Sequence, residues 1–117
     1  MIINNPINYT MNLPTIVSKL VAAQNQFDSE TYTGCFAETA IVHDEGKIHQ
    51  GKAEIRKWNE HSNEEYHATM KPLKYESSEQ EDLLTAEADG NFPGSPAVLK
   101  FHLVLENELI SSLKITG

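Results

Sequence analysis

Five histidines, one cysteine and a scatter of carboxylates are the groups through which this chain could do chemistry. His43, His49, His61, His67 and His102 raise the question of a metal. No two of them form a His-x-x-x-His pair and none falls in a cluster with acidic ligands, so no metal site is expected. Solvated or interface positions suit most of them. His61 differs, because it follows Trp58 by one helical turn and would share its side. Cys35 has no partner for an internal disulfide and reads as a buried thiol. No Ser-His-Asp grouping, thiol nucleophile or glycine-rich phosphate loop is present.

Asp44 is the sharpest pointer. It follows the run Ala40-Ile41-Val42-His43 and precedes Gly46 by two positions. A carboxylate there that faces an apolar pocket is desolvated, which raises its pKa and makes it a better proton acceptor near neutrality. One that caps backbone N–H groups beside Gly46 is structural only. The spacing accommodates both readings. Phe27, Tyr32, Phe36 and Trp58 add aromatic surface that could wall a site for a flat or cyclic ligand, and the same helical spacing fits a packed core. Tyr32 and Trp58 carry polar tips that need a partner in either case.

The elements that must position these groups can be read from periodicity. Pro14 supplies a helix start, and Ile16, Val17, Leu20, Val21 and Phe27 follow on one stripe of a first helix. Asp28 and Ser29 can cap a second helix with Tyr32, Cys35 and Phe36 on its apolar side, ending near Glu38 despite Gly34. A short strand is expected over 40–45, then a third helix after Gly51 with Ile55 and Trp58 inward. Four further strands are expected over 66–77, 83–92, 97–105 and 109–116. In the third of these Leu99, Phe101 and Leu103 share one face, opposite Lys100 and His102. In the last, Leu109, Leu113 and Ile115 keep one phase that Ser111 interrupts, as a tight contact or as a polar group in a cavity. Helices first and strands afterwards predict an α+β domain whose helices cover one face of a curved antiparallel sheet.

At 117 residues the chain has the size of one domain, read as a polar leader over 1–12 and a folded unit over 13–117. Met11 could serve as an alternative start, and the Asn8-Tyr9-Thr10 sequon carries little weight. A net charge of −8 without a basic cluster argues against nucleic acid, and no apolar run is long enough to cross a membrane. The leader has neither the basic nor the apolar part of a secretion signal, so a cytoplasmic protein is expected.

Two stretches carry a family resemblance. FAETAIVHDEGKIHQGKAEIRKW, from Phe36 to Trp58, resembles a segment of nuclear transport factor 2-like proteins, and GNFPGSPAVLKFHLVLENELISSLKI resembles the closing hairpin of their SnoaL-like members. The resemblance implies a cone, or cystatin-like roll: a strongly bent antiparallel sheet partly filled by three N-terminal helices, with a mainly apolar pocket at the open end. Dimers through the outer sheet face are common in the family, so a homodimer is expected; the apolar pocket with its aromatic residues suits a small apolar or cyclic organic ligand, and no cofactor is expected. Members include polyketide cyclases, ketosteroid isomerases, dehydratases and non-enzymatic binding modules.

Within that resemblance Asp44 matches the catalytic aspartate of the isomerases and is the candidate general base. Trp58 matches an aromatic pocket liner, and Tyr32, His61 and Phe101 complete the candidate ligand-binding set. The isomerases also place donors at the developing enolate oxygen. Here the position matching their tyrosine holds Leu20, and the strand with Leu99 and Phe101 offers no inward acid, so steroid isomerisation is not expected. A SnoaL-like proton-transfer enzyme of isomerase, cyclase or dehydratase type and a non-enzymatic ligand-binding or dimerisation module both remain.

Overall fold

The computed structural model describes residues 12–117. Most of the polar leader, including the Asn8 sequon and Met11, lies outside them. The chain runs α1 (Thr15–Asn25), α2 (Ser29–Gly34), β1 (Phe36–Asp44), β2 (Lys47–Gln50), α3 (Lys52–Tyr66), β3 (Thr69–Ser77), β4 (Asp82–Asp89), β5 (Ala97–Glu106) and β6 (Leu109–Thr116). It is an α+β fold in which three helices pack on a curved, unclosed six-stranded sheet of order β2-β1-β6-β5-β4-β3. All neighbours are antiparallel except β1 and β6, which pair in parallel.

The helices follow from their caps and inward stripes. Pro14 precedes α1, whose Val17, Leu20 and Val21 are buried. The helix stops at Asn25, and Phe27 adopts a left-handed φ of 55° and stays 40% exposed, so it does not extend the apolar stripe as its spacing suggested. Asp28 caps α2 through the Thr31 backbone N–H and hydroxyl, at 3.1 and 2.6 Å.

The second helix is shorter than expected, and Phe36 to Glu38 are strand. Cys35 closes the helix after Gly34, and its carbonyl accepts the N–H of Ile110, which starts the pairing of β1 with β6. A partner that distant leaves no local trace in the sequence. Tyr66 likewise belongs to the end of α3 rather than to the start of a strand, and β2 is an additional short strand.

Irregularities bend the sheet. Register shifts fall between Phe36 and Ile41, at Leu73, and at Ser111, where β6 carries one residue more than β5. The Ser111 hydroxyl donates to the Val104 carbonyl at 3.1 Å, a tight contact at the bulge. The bulge moves β6 out of simple alternation, so Ile110 and Leu113 are the fully buried pair. Phe36, Leu20, Ile55, Leu84, Leu103, Ile110 and Leu113 form the centre of the core.

Two devices complete the side of the sheet beside the helices. Asn25 reaches from α1 to β3, accepting the Met70 N–H at 2.7 Å and donating to the Met70 carbonyl at 3.0 Å, as a neighbouring strand would. Pro72, two residues on along the same outer edge, has no N–H to offer.

Candidate active-site cavity

Between α3 and the inner face of β5 and β6 lies a cavity of about 580 Å³. Trp58 and Tyr66 from α3, Met70 from β3, Phe92 from the following loop, Leu99 and Phe101 from β5 and Ile115 from β6 form its apolar wall. Asp44 enters at one side as the last residue of β1. It is fixed there by a tight turn in which Glu45 and Gly46 take φ of 53° and 75° before Lys47 pairs back opposite Asp44.

The Asp44 carboxylate is held by one defined donor, the indole Nε1–H of Trp58, which reaches Oδ2 at 3.1 Å. Among the described residues no other side chain donates to it. Burial pushes the Asp44 pKa above the ordinary carboxylate value; the Trp58 hydrogen bond pulls the other way, and the neighbouring Glu45 charge adds to the rise. His49 from β2 stacks on the Trp58 ring with centroids 5.7 Å apart and planes 30° apart, fixing the indole from the outside.

Of the residues singled out from sequence, Asp44, Trp58 and Phe101 share this cavity. Tyr32 does not line it. It is 3% exposed, packed behind Trp58 and against Phe36, with ring centroids 6.1 and 5.6 Å away. Burial, reinforced by the Asp44 charge, drives its hydroxyl well above the usual phenol range. His61 also stays outside. Its side chain is 76% exposed, points to Glu65 Oε1 at 3.4 Å, and borders a smaller depression on the other side of Trp58 with Lys47, His49 and Lys57. One turn after Trp58 placed it beside the site but over the rim.

Leu20, at the position where the resembling isomerases carry a donor, is 1% exposed and part of the core. His43 sits opposite Ile48 and Lys114 on the outer sheet face, as alternation required. Among the described residues no group of three or more potential ligands could hold a metal ion. No helix among them is long and apolar enough to cross a membrane.

Sequence reasoning missed Tyr66, Phe92 and the support beneath the cavity. Asn59 and Asn63 are buried on the stripe that begins with Ile55, and they bond to Ser29 and Gln24. Gln24 donates in turn to Asn63 Oδ1 at 3.0 Å and to the Ala68 carbonyl at 2.7 Å. This network joins all three helices to the start of β3. The spacing Ile55, Asn59, Asn63 was the available signal: two amides on an inward stripe must find partners.

No family profile matches the chain, and no curated protein matches it. Solved structures do. A Sinorhizobium meliloti protein provisionally named a polyketide cyclase superimposes with a TM-score of 0.85 at 31% identity, over 89% of this chain and 95% of that one. A Catenulispora acidiphila protein of ketosteroid isomerase-like fold, crystallised with trimethylamine, gives 0.80 at 18% identity, over 91% and 87% of the two chains. A nuclear transport factor 2-like protein of unknown function from Cytophaga hutchinsonii gives 0.75 at 14% identity, over 91% and 89%.

Proposed function

The chain belongs to the nuclear transport factor 2-like superfamily, and from that premise we propose that its cavity binds a small, largely apolar or cyclic organic molecule on which Asp44 acts as general base. The reaction class is proton transfer, of isomerase, cyclase or dehydratase type. The fold hosts unrelated chemistries, so the reading rests on the site. The observation that carries it is a partly buried carboxylate in the wall of a 580 Å³ apolar cavity, oriented by Trp58 Nε1–H. Its raised pKa moves it toward the range in which a carboxylate accepts a proton near neutral pH.

A second reading is a non-enzymatic binding or dimerisation module. One observation favours it: Leu20, at the position matching the isomerases' tyrosine donor, is buried in the core, and the strand with Leu99 and Phe101 brings no acid into the cavity. Loss of one such donor typically costs about 10²- to 10³-fold in rate. A homodimer through the outer sheet face, on which Ile48 and Val98 stand exposed, is part of the proposal under either reading. So is residence in a reducing compartment such as the cytoplasm, which the free buried thiol of Cys35 suits.

The test is exchange of α-protons of cyclic ketones for deuterium, followed by NMR with the protein in heavy water, after a melting screen of the same compounds. The proposed role predicts exchange that Asp44→Asn abolishes without lowering the melting temperature. Binding without exchange supports the module, and failure of every compound to bind rejects the cavity as a site for neutral cyclic ligands. A monomeric mass at high concentration would exclude the dimer.

A further inference from the structure

The cavity's charge is one-sided. Among the described residues that line it, the charged side chains are Asp44 and Glu45, and no Lys, Arg or His is present. Lys47, His49, Lys57 and His61 lie in the neighbouring depression, which Asp44, Glu45 and Trp58 also border. The remaining wall includes four aromatic rings, Trp58, Tyr66, Phe92 and Phe101. Tyr66 and Phe92 brace each other edge to face at 6.1 Å.

An anionic ligand would meet like charge inside this wall, and a neutral one would cover Asp44 with no opposing charge on the cavity side, leaving it the cationic groups of the neighbouring depression alone. A cation relieves both costs and finds aromatic side chains as well as a carboxylate, the combination by which proteins hold alkylated ammonium groups. We propose that the ligand of this cavity is a small organic cation, a tertiary or quaternary amine with apolar substituents, its charge paired with Asp44 and its substituents against Trp58, Phe92 and Phe101. Glu45, exposed at the mouth, and the net charge of −8 draw such a ligand in. The inference rests on the reading of the cavity as a ligand site and not on Asp44 being a base. A substrate that brings its own positive charge also has less need of the donor that Leu20 does not supply.

Trp58 is the single tryptophan of the chain, so its fluorescence reports occupancy directly. The probes are benzyltrimethylammonium, its neutral carbon isostere neopentylbenzene, and the anion hydrocinnamate, titrated into the full chain. The cation is expected to bind about tenfold or more tighter than the isostere. Asp44→Asn is expected to erase that preference and leave neopentylbenzene affinity unchanged. Should that variant fail to fold, the Asp44 carboxyl carbon resonance of the wild type is expected to shift on addition of benzyltrimethylammonium; no shift overturns the proposal. Equal or tighter binding of neopentylbenzene or hydrocinnamate, or a preference that survives Asp44→Asn, overturns the cation while the cavity stands as a ligand site. Binding of none of the three overturns the cation, and the proposed function then stands or falls on the ketone screen.

Discussion

Trp58 and Asp44 hold each other across the mouth of the cone: the helix α3 contributes the indole N–H, the end of β1 contributes the acceptor, and 3.1 Å separates them. Because the pair joins a helix to a strand, it orients the carboxylate and anchors the helix at once. Trp58→Phe keeps an aromatic ring and removes the donor. The Asp44 pKa is then expected to rise further, since this hydrogen bond is the largest of the influences that lower it. Stability is expected to fall by about 1–2 kcal/mol. Carbon NMR titration of the carboxyl and urea unfolding measure the two effects; an unmoved pKa would show that the indole does not hold the carboxylate in solution.

Asp44 also gives stability a pH dependence of a particular sign. With its folded pKa above 3.8, the unfolded chain loses this proton first as pH rises, so the folded state holds more protons and the contribution of Asp44 declines until the folded carboxyl has ionised too. Asp44→Asn lacks that decline and still offers Trp58 an acceptor. It is expected to melt higher than the wild type at neutral pH, with the gap closing towards pH 3.8. Melting curves across that range decide it, and a variant that melts lower at neutral pH would contradict the assignment.

Gly90 stands where the loop after β4 passes the end of α3. A Cβ added there would lie 2.6 Å from the Tyr66 carbonyl oxygen and 2.9 Å from Ala68 Cα. Both are backbone atoms and cannot swing aside. The same carbonyl accepts the Asn91 N–H at 2.7 Å, so the strain would reach the cavity wall formed by Tyr66 and Phe92. Gly90→Ala is expected to cost about 1–3 kcal/mol in urea unfolding, with altered Trp58 fluorescence.

The amide network beneath the cavity should behave as a unit. Asn63→Leu leaves donors and acceptors on Gln24, Ser29 and Asn59 without their partner and is expected to cost about 2–3 kcal/mol. Adding Gln24→Met should cost clearly less than it does alone, and a double-mutant cycle measures the difference. Strict additivity would mean that the bonds do not cooperate.

The sequence carried the architecture better than the boundaries. Inward stripes such as Val17, Leu20 and Val21, or Leu99, Phe101 and Leu103, are local patterns and appear in the fold as read. The end of α2 was misplaced because Phe36 is apolar in either a helix or a strand. What decides its state is Ile110, far along the chain.

Of the site, Asp44, Trp58 and Phe101 were legible through resemblance and alternation. Tyr32 and His61 were misjudged because helical spacing fixes which side a residue takes, not how deep it sits: one lies beneath Trp58 and the other above it. Tyr66 and Phe92 were invisible as wall residues because their convergence depends on the close passage at Gly90.

The pairing of Asn25 with Met70 reaches beyond the helix it anchors. Exposed sheet edges are where foreign strands add and where fibrils take their template. Along β3 that route is shut at its start, since Asn25 already occupies the peptide group of Met70 and Pro72 presents no N–H. The opposite edge, β2, is only four residues long. Neither rim of the sheet offers a long unobstructed ladder, so strand addition at the edges is a poor route to self-association for this chain.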